Sequence, residues 1–263
     1  MTVTDPVALA ADRLSAASES GVACQPVRDL IGPDDISLAY RVQQALISRR
    51  VASGARVIGR KIGLTSEAVQ RQVGVDRPDF GVLLDDMRFR DDQIVPFQRL
   101  LQPRVEAEVA FVLGSTLEGT IDDATIRQAI RYAVAAIEIV DSRIEDWQIG
   151  ITDTVADNAS SGVFVLGSRE AALSAFTPAD VEMTLRRNGE QVSQGNGRAC
   201  LGDPLNALAW LARTAIDVGH PLSAGDIVLS GALGPMVAAR PGDVFDATIE
   251  PLGSVTARFG EGE

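Results

Sequence analysis

A carboxylate is expensive to bury without a partner, yet this chain sets three glutamates into strand-like apolar runs. The stretch PRVEAEVAFVLG, residues 103–114, carries Glu106 and Glu108, and AVAAIEIVDSRI, residues 133–144, carries Glu138. Side chains at i and i+2 of a strand share one face, with alpha carbons roughly 6.6 Å apart. Arg104, Glu106 and Glu108 therefore line one face and Val105, Ala107, Val109 and Phe111 the other, while the acidic face continues as Ala110 and Val112. A solvated polar face accounts for the first two acids. It accounts poorly for Glu138, which stands among apolar residues as in a buried strand. Two carboxylates about 5 Å apart repel by roughly 3 kcal/mol at an effective dielectric of 20. Three acids converging on one spot therefore need a cation.

Composition narrows which cation. The only histidine among 263 residues is His220, in VGHPLSAGD between an amphipathic helix and a strand, where a solvated linker residue is expected. Cys24 and Cys200 are isolated, with neither a disulfide framework nor a zinc-type pairing. With no imidazole or thiolate to offer, oxygen ligands of this kind suit Mg²⁺ or Mn²⁺. Any Ser-His-Asp or Cys-His chemistry would hang on His220 alone. A net charge of −12 disfavours nucleic acid and anionic membrane as partners. The longest apolar runs are too short or too broken by Gly and Pro to span a bilayer. The opening MTVTDPVALAADRL lacks the basic start and continuous apolar core of a signal peptide. A cytoplasmic protein is expected.

The first fifty residues read as helical. DPVALAADRLSAASESG has Asp5 as cap and Pro6 at the first turn, and ends at Gly21. PDDISLAYRVQQALISRRVASG repeats apolar residues at helical spacing and stops at Gly54. From Val57 the texture changes to strands: RVIGRKIGLT, then, after a turn, PDFGVLLDDM, VEAEVAFVLG, AAIEIVDSRI and GVFVLG. Helices are expected over SEAVQRQVG, DDATIRQAIRYA and GDPLNALAWLARTAIDVG, and a loop or short helix over ITDTVADNAS. VEMTLRRNGEQVSQG reads as a hairpin turning at Asn188-Gly189, and the C-terminal GDIVLSG, GDVFDATIEPLG and SVTARF as short strands. The expected class is α+β: a helical N-terminal region over residues 1–55 and a strand-rich body over 56–263.

Four further residues are candidates for chemistry. Lys61, in GRKIGLTS, is either a snorkelling edge lysine or a lysine that binds an anion or passes a proton. Asp79, in RPDFG, is either a turn residue or a working acid. Ser160 and Ser161, in DNASSG, close a turn or offer hydroxyls to a substrate carboxylate. Neither serine has a histidine nearby to make it a nucleophile.

Taken together, KIGLTS, PDFGVLLDDM, PRVEAEVAFVLG, AAIEIVDSRIEDW, DNASSGVFVLG, GDPLNALAWLA, AGDIVLSGALGPMV and LGSVTARF resemble the 2-keto-4-pentenoate (2-hydroxypenta-2,4-dienoate) hydratase family. That family lies within the fumarylacetoacetate-hydrolase-like superfamily, and the likeness runs in order from about Ala8 to Phe259. The resemblance implies a body built as a mixed β-roll or sandwich of the fumarylacetoacetate-hydrolase C-terminal type. It implies a divalent metal, Mg²⁺ or Mn²⁺, held by Glu106, Glu108 and Glu138, with Lys61 and Asp79 as proton-transfer residues and Ser160 or Ser161 holding the substrate carboxylate. It further implies a homo-oligomer, pentamer-based, with association to a downstream aldolase or a related decarboxylase. The implied reaction is hydration of a 2-hydroxy-2,4-dienoate to a 4-hydroxy-2-oxo acid, in the degradation of aromatic or steroid rings. The 4-oxalocrotonate decarboxylases share the acids and much of the scaffold, and a catalytically silent partner subunit is a further alternative. PDFGVLLDDM and LSGALGPMV look more like the hydratase branch. The superfamily's acylpyruvate hydrolases use a histidine-acid pair that has no counterpart here.

Overall fold

The structure is a computed structural model that describes residues 5–66, 70–71 and 77–262. Most of the expected helix SEAVQRQVG lies outside the described residues. The chain opens with α1 (Pro6–Ser20), α2 (Arg28–Ile31) and α3 (Ile36–Ala52). Their ends are set by local chemistry. The Asp5 side chain accepts from the Val7 amide at 3.0 Å with Pro6 at the first position, and Gly21 closes α1 with φ +70°. Asp35 caps α3 by accepting from the Leu38 amide at 2.9 Å.

Thirteen strands follow among the described residues, in two open sheets. They are β1 (Val57–Gly63), β2 (Asp79–Leu84), β3 (Arg88–Arg90), β4 (Ile94–Val95), β5 (Arg104–Leu113), β6 (Ile130–Val140) and β7 (Ser161–Leu166). The rest are β8 (Glu182–Arg187), β9 (Glu190–Asn196), β10 (Ile227–Ala232), β11 (Val237–Ala238), β12 (Val244–Glu250) and β13 (Gly253–Phe259). The larger sheet runs β2-β1-β10-β5-β6-β7-β3, with β11 beside β5; the smaller runs β4-β13-β12-β8-β9. Three pairings are parallel (β1/β10, β3/β7 and β4/β13) and the others antiparallel, so the sheets are mixed. This part also carries the helices α4 (Asp123–Ala129), α5 (Ile151–Ala156) and α6 (Pro204–Asp217).

The alternation along β5 explains the layers. Val105, Ala107, Val109 and Phe111 join Ile137 and Ile139 of β6 in one core with Leu185, Phe245, Ile249 and Ala257 of the smaller sheet and Leu208 and Leu211 of α6. Phe111, Phe164 and Phe245 are fully buried, and each such side chain contributes about 1.5–3 kcal/mol of transfer free energy. The opposite face of the larger sheet carries Ala110, Val112, Val134, Ala136 and Leu229, with Ile47 of α3 packed against it. The acids sit further along that face.

The N-terminal helices are tied to the site region by polar bridges. Gln43 of α3 donates Nε2 to the Phe80 carbonyl at 2.9 Å and to the Val155 carbonyl at 3.0 Å, joining β2 to α5. The buried Asp153 carboxylate accepts from the Val27 and Arg28 amides, both at 2.9 Å, and so holds the start of α2. Gln43→Leu leaves two buried carbonyls unpaired and should lower unfolding free energy by about 1–2 kcal/mol in urea titration. An unchanged midpoint would mean that water takes over both bonds.

Two readings from sequence need correcting. The helix expected over residues 122–133 ends at Ala129, because Ile130, Tyr132 and Ala133 pair with Leu113, Val112 and Phe111 of β5. Sheet pairing overrides a helical pattern there. The strand expected to reach Ile144 ends at Val140. The hairpin turn at Asn188-Gly189 and the Asp203 cap of α6, which accepts from the Leu205 amide at 2.8 Å, stand as expected.

Candidate active site and metal centre

β5 and β6 pair so that Glu106 lies directly opposite Glu138, with Glu108 one step along opposite Ala136. All three are buried: Glu106 is 6% exposed, Glu108 0% and Glu138 1%. A solvated polar face is therefore wrong for the glutamates. Arg104 alone reaches the surface, its guanidinium 4.3 Å from the centre of the Trp147 ring. One carboxylate oxygen from each glutamate falls within 4.8 Å of the others.

A break in β10 shapes this spot. The register with β5 shifts between Leu229 and Ala232, and Gly231, at φ +109°, turns its amide to donate to Glu108 Oε2 at 2.7 Å. A side chain at Gly231 would strike Thr65, with Oγ1 only 2.0 Å from the added carbon. Glycine is required there on both counts.

Lys61 and Asp79 enter from the edge of the same sheet. Lys61 pairs with Gly81 and Gly63 with Asp79, which puts the lysine and the acid on one face of β1 and β2. Both are buried, at 2% and 1% exposure, so Lys61 is no snorkelling edge residue and Asp79 no solvated turn residue. Lys61 Nζ lies 3.3 Å from Glu138 Oε1. Strands β10 and β5 stand between β1 and β6, so this contact is made by two long side chains reaching across the intervening strands. Gly63 makes room: a carbon added there would meet Asp79 Oδ1 at 2.2 Å and Lys61 Nζ at 3.4 Å.

The charges are poorly matched among themselves. Burial, then the neighbouring Glu138, pushes Glu106 up to about 7. Burial, Glu138 and Glu106 raise Glu108 well above the ordinary carboxyl range, against the pull of the Gly231 amide. Burial also raises Asp79, although Lys61 and the Thr154 hydroxyl oppose it. For Lys61, burial disfavours the charge, but Glu138, Asp79, Glu106 and Glu108 outweigh it and the ammonium is retained. One lysine faces four acids. Glu108 Oε1, Asp79 Oδ1 and Glu138 Oε2 accept no hydrogen bond, and Glu138 Oε1 has only its ion-pair contact with Lys61. Orphaned, buried, oxygen-only donors in mutual repulsion fit a hard divalent cation. His220 is exposed, just past the end of α6.

The two serines separate. Asn158, Ala159 and Ser160 all adopt left-handed φ values, 55°, 53° and 51°, an unusual run for residues other than glycine. Thr154 Oγ1 donates to Asp79 Oδ2 at 3.0 Å and lies 3.5 Å from Ser160 Oγ. Ser161 instead donates to the Asn158 carbonyl at 2.7 Å. It lines a cleft of about 760 Å³ between α1, α3 and the strand-rich body, which includes Asn158, Asp157 and Arg143 but none of the glutamates, Lys61 or Asp79. That cleft is not where the acids converge.

Reading the sequence alone missed the residues that hold the serine turn. Arg143 Nε pairs with Asp157 Oδ1 at 2.5 Å, and its Nη1 donates to both the Asp141 and Ser161 carbonyls, at 2.7 and 2.8 Å. The Asn158 amide pairs with both backbone groups of Val82, at 2.8 and 2.9 Å, and locks the turn onto β2. The available signal was the density of polar residues in IVDSRI and ITDTVADNASS.

Comparison with known proteins agrees with this geometry. The family model for the fumarylacetoacetate (FAA) hydrolase C-terminal domain matches residues 61–260. A curated protein named TodF product hydratase, from Pseudomonas putida, is 54% identical over 97% of this chain and 96% of its own length. The 2-keto-4-pentenoate hydratase of Paraburkholderia xenovorans is 52% identical over 95% of this chain and 93% of its own. The chain belongs to the 2-keto-4-pentenoate hydratase family. It is an enzyme of the lyase class with the fumarylacetoacetate-hydrolase C-terminal fold. Among solved structures, 4-oxalocrotonate decarboxylase from a Pseudomonas putida strain, complexed with magnesium and adipate, superposes with a TM-score of 0.91. That decarboxylase is 33% identical over 98% of each chain.

Proposed function

We propose that this member of the family hydrates a 2-hydroxy-2,4-dienoate of the 2-oxo-4-pentenoate type to a 4-hydroxy-2-oxo acid, in meta-cleavage degradation of aromatic rings. The observation that carries the reading is the convergence of Glu106, Glu108 and Glu138, with unpartnered oxygens on Glu108 and Glu138, beside Lys61 and Asp79. Hydration is favoured over decarboxylation because the hydratase relatives match at more than half of all positions and the decarboxylase at a third.

In this reading Glu106, Glu108 and Glu138 hold Mg²⁺ or Mn²⁺. When bound, the ion would supply a positive charge that stabilises negative charge on the 2-oxo acid. The chain's own groups do the rest. Ketonisation of the dienol places a proton on C5, and water adds at C4 as C3 gains a proton. Lys61 and Asp79 are the titratable groups on the adjoining face that can move those protons. Ser160, on the Asp79 side of its turn, is the better candidate than Ser161 for the substrate carboxylate. Residues 1–55 serve as a helical arm and residues 56–263 as the catalytic unit, with Gln43 joining them. A homo-oligomer belongs to the same proposal.

Dienoate absorbance in the ultraviolet, followed with protein and Mg²⁺ or Mn²⁺, tests the reaction once the product is identified. The expected result is loss of the dienoate, gain of the 4-hydroxy-2-oxo acid and no carbon dioxide. Carbon dioxide released from oxalocrotonate would replace this reading with the decarboxylase. Turnover of neither would leave a silent partner subunit.

A further inference from the structure

Between the acid and the serine turn stands a buried hydroxyl to which neither the family comparison nor the reaction scheme gives a role. Thr154 is 3% exposed and sits on α5. Its Oγ1 donates to Asp79 Oδ2 at 3.0 Å and contacts Ser160 Oγ at 3.5 Å, the long end of the hydrogen-bond range. We propose that Thr154 is a positioning residue of this reaction, a hydroxyl bridge that fixes the proton-handling Asp79 against the substrate-holding Ser160. The inference rests on the hydratase reading above.

A hydroxyl owns one proton and two lone pairs. With its proton given to the Asp79 carboxylate, Thr154 can only accept from Ser160. Ser160 therefore has an internal acceptor before substrate arrives, and can turn the same proton outward to a substrate carboxylate without leaving a buried donor unpaired. The bond also decides which oxygen of Asp79 works. Oδ2 is held by Thr154, whereas Oδ1 has no partner and lies over Gly63 on the Lys61 side. Thr154 thus aims the free oxygen of the acid at the face shared by Lys61 and Glu138.

The bridge is anchored independently of the groups it joins. Gln43 holds the Val155 carbonyl next to it, and the Asp153 carboxylate on its other side accepts from Val27, Arg28 and Gly150 amides. A short helix held this firmly can place one oxygen with the precision that proton transfer between fixed groups needs.

The test compares Thr154→Val with Thr154→Ser. Valine keeps the shape and loses the hydroxyl; serine keeps the hydroxyl. The valine variant should lose on the order of 10- to 100-fold in kcat, with a smaller, several-fold rise in KM and the increase in thermal midpoint on adding Mg²⁺ close to wild type. The serine variant should recover most of the loss. In an Asp79→Asn background the valine change should add little, because Thr154 acts through Asp79. Equal losses for valine and serine, or the same loss with and without Asp79, would show a packing role and overturn the proposal. Wild-type protein that fails to hydrate the dienoate would sink the parent reading instead. The bridge is then read from Mg²⁺-dependent binding of pyruvate, the simplest 2-oxo acid. Thr154→Val should weaken that binding several-fold and Thr154→Ser should not; equal binding by all three proteins overturns the bridge there too.

Discussion

Glu108→Gln should cost on the order of 10³-fold in turnover while leaving the metal-free fold at least as stable as wild type. The reason lies in what Glu108 does without a cation. It is wholly buried, one oxygen accepts from Gly231 and the other accepts nothing. Burial and two neighbouring glutamates penalise its charge. Glutamine has the same shape, its carbonyl oxygen can keep the Gly231 bond, and its amide can donate to the acids around it. The lysine is not orphaned, since Lys61 makes its close contact with Glu138. What glutamine cannot supply is the third negative charge. A cation at 100 times its dissociation constant stabilises a fold by about 2.7 kcal/mol, and most of that gain should vanish in the variant. Thermal midpoints with and without Mg²⁺, bound metal measured by elemental analysis, and dienoate turnover together decide the matter. Full activity with unchanged metal content would remove Glu108 from the ligand set. Lost activity with a collapsed fold would assign it a structural task instead.

The glutamates were legible because each offends against its local setting. Glu138 interrupts an apolar run, and Glu106 and Glu108 share a strand face whose far end is apolar. Alternation tells which residues share a face but not what covers it, so burial of that face had to come from the fold. Lys61 and Asp79 were visible as residues and not as neighbours, because their proximity depends on the β1–β2 register. Adjacent serines are indistinguishable in sequence. They part here because three consecutive left-handed residues reverse the chain just before β7. Thr154 and Arg143 were harder still. Thr154 inside ITDTVADNAS reads as an ordinary residue of a loop or short helix, and its partner Asp79 is 75 positions away. Arg143 meets Asp157 only 14 positions on, yet between them the chain passes through α5. The first helix was legible from Asp5 and Gly21 and α3 from its apolar spacing, whereas α2 was not read and Ile130–Ala133 went to the wrong element because pairing with β5 is a long-range preference.

The same mismatch of charges predicts that the metal-free protein loses stability as pH rises while the metal-loaded protein, as far as these acids decide it, does not. Without metal, Glu106 is pushed up to about 7 from the ordinary 4.5. Between those values the folded protein keeps a proton that the unfolded chain has released, so stability falls as pH rises and the contribution is gone above about 7. For Glu106 alone the loss is about 3 kcal/mol, and Glu108 shifts in the same direction. In the proposed site metal binding requires both acids ionised, so below pH 7 the ion competes with the Glu106 proton, the raised Glu108 adds to that competition, and affinity should rise about tenfold per pH unit for each proton displaced. The metal-loaded form therefore gains on the metal-free form as pH rises. Asp157, pushed up to about 6 by burial despite Arg143, weakens both forms alike and cancels from their difference. Thermal midpoints of EDTA-treated and Mg²⁺-saturated protein between pH 5.5 and 8.5 should diverge. Calorimetry in buffers of different ionisation enthalpy should show protons released on binding. Parallel curves with no proton release would mean that the acids are already ionised and paired without metal, and the cation site would lose its physical basis.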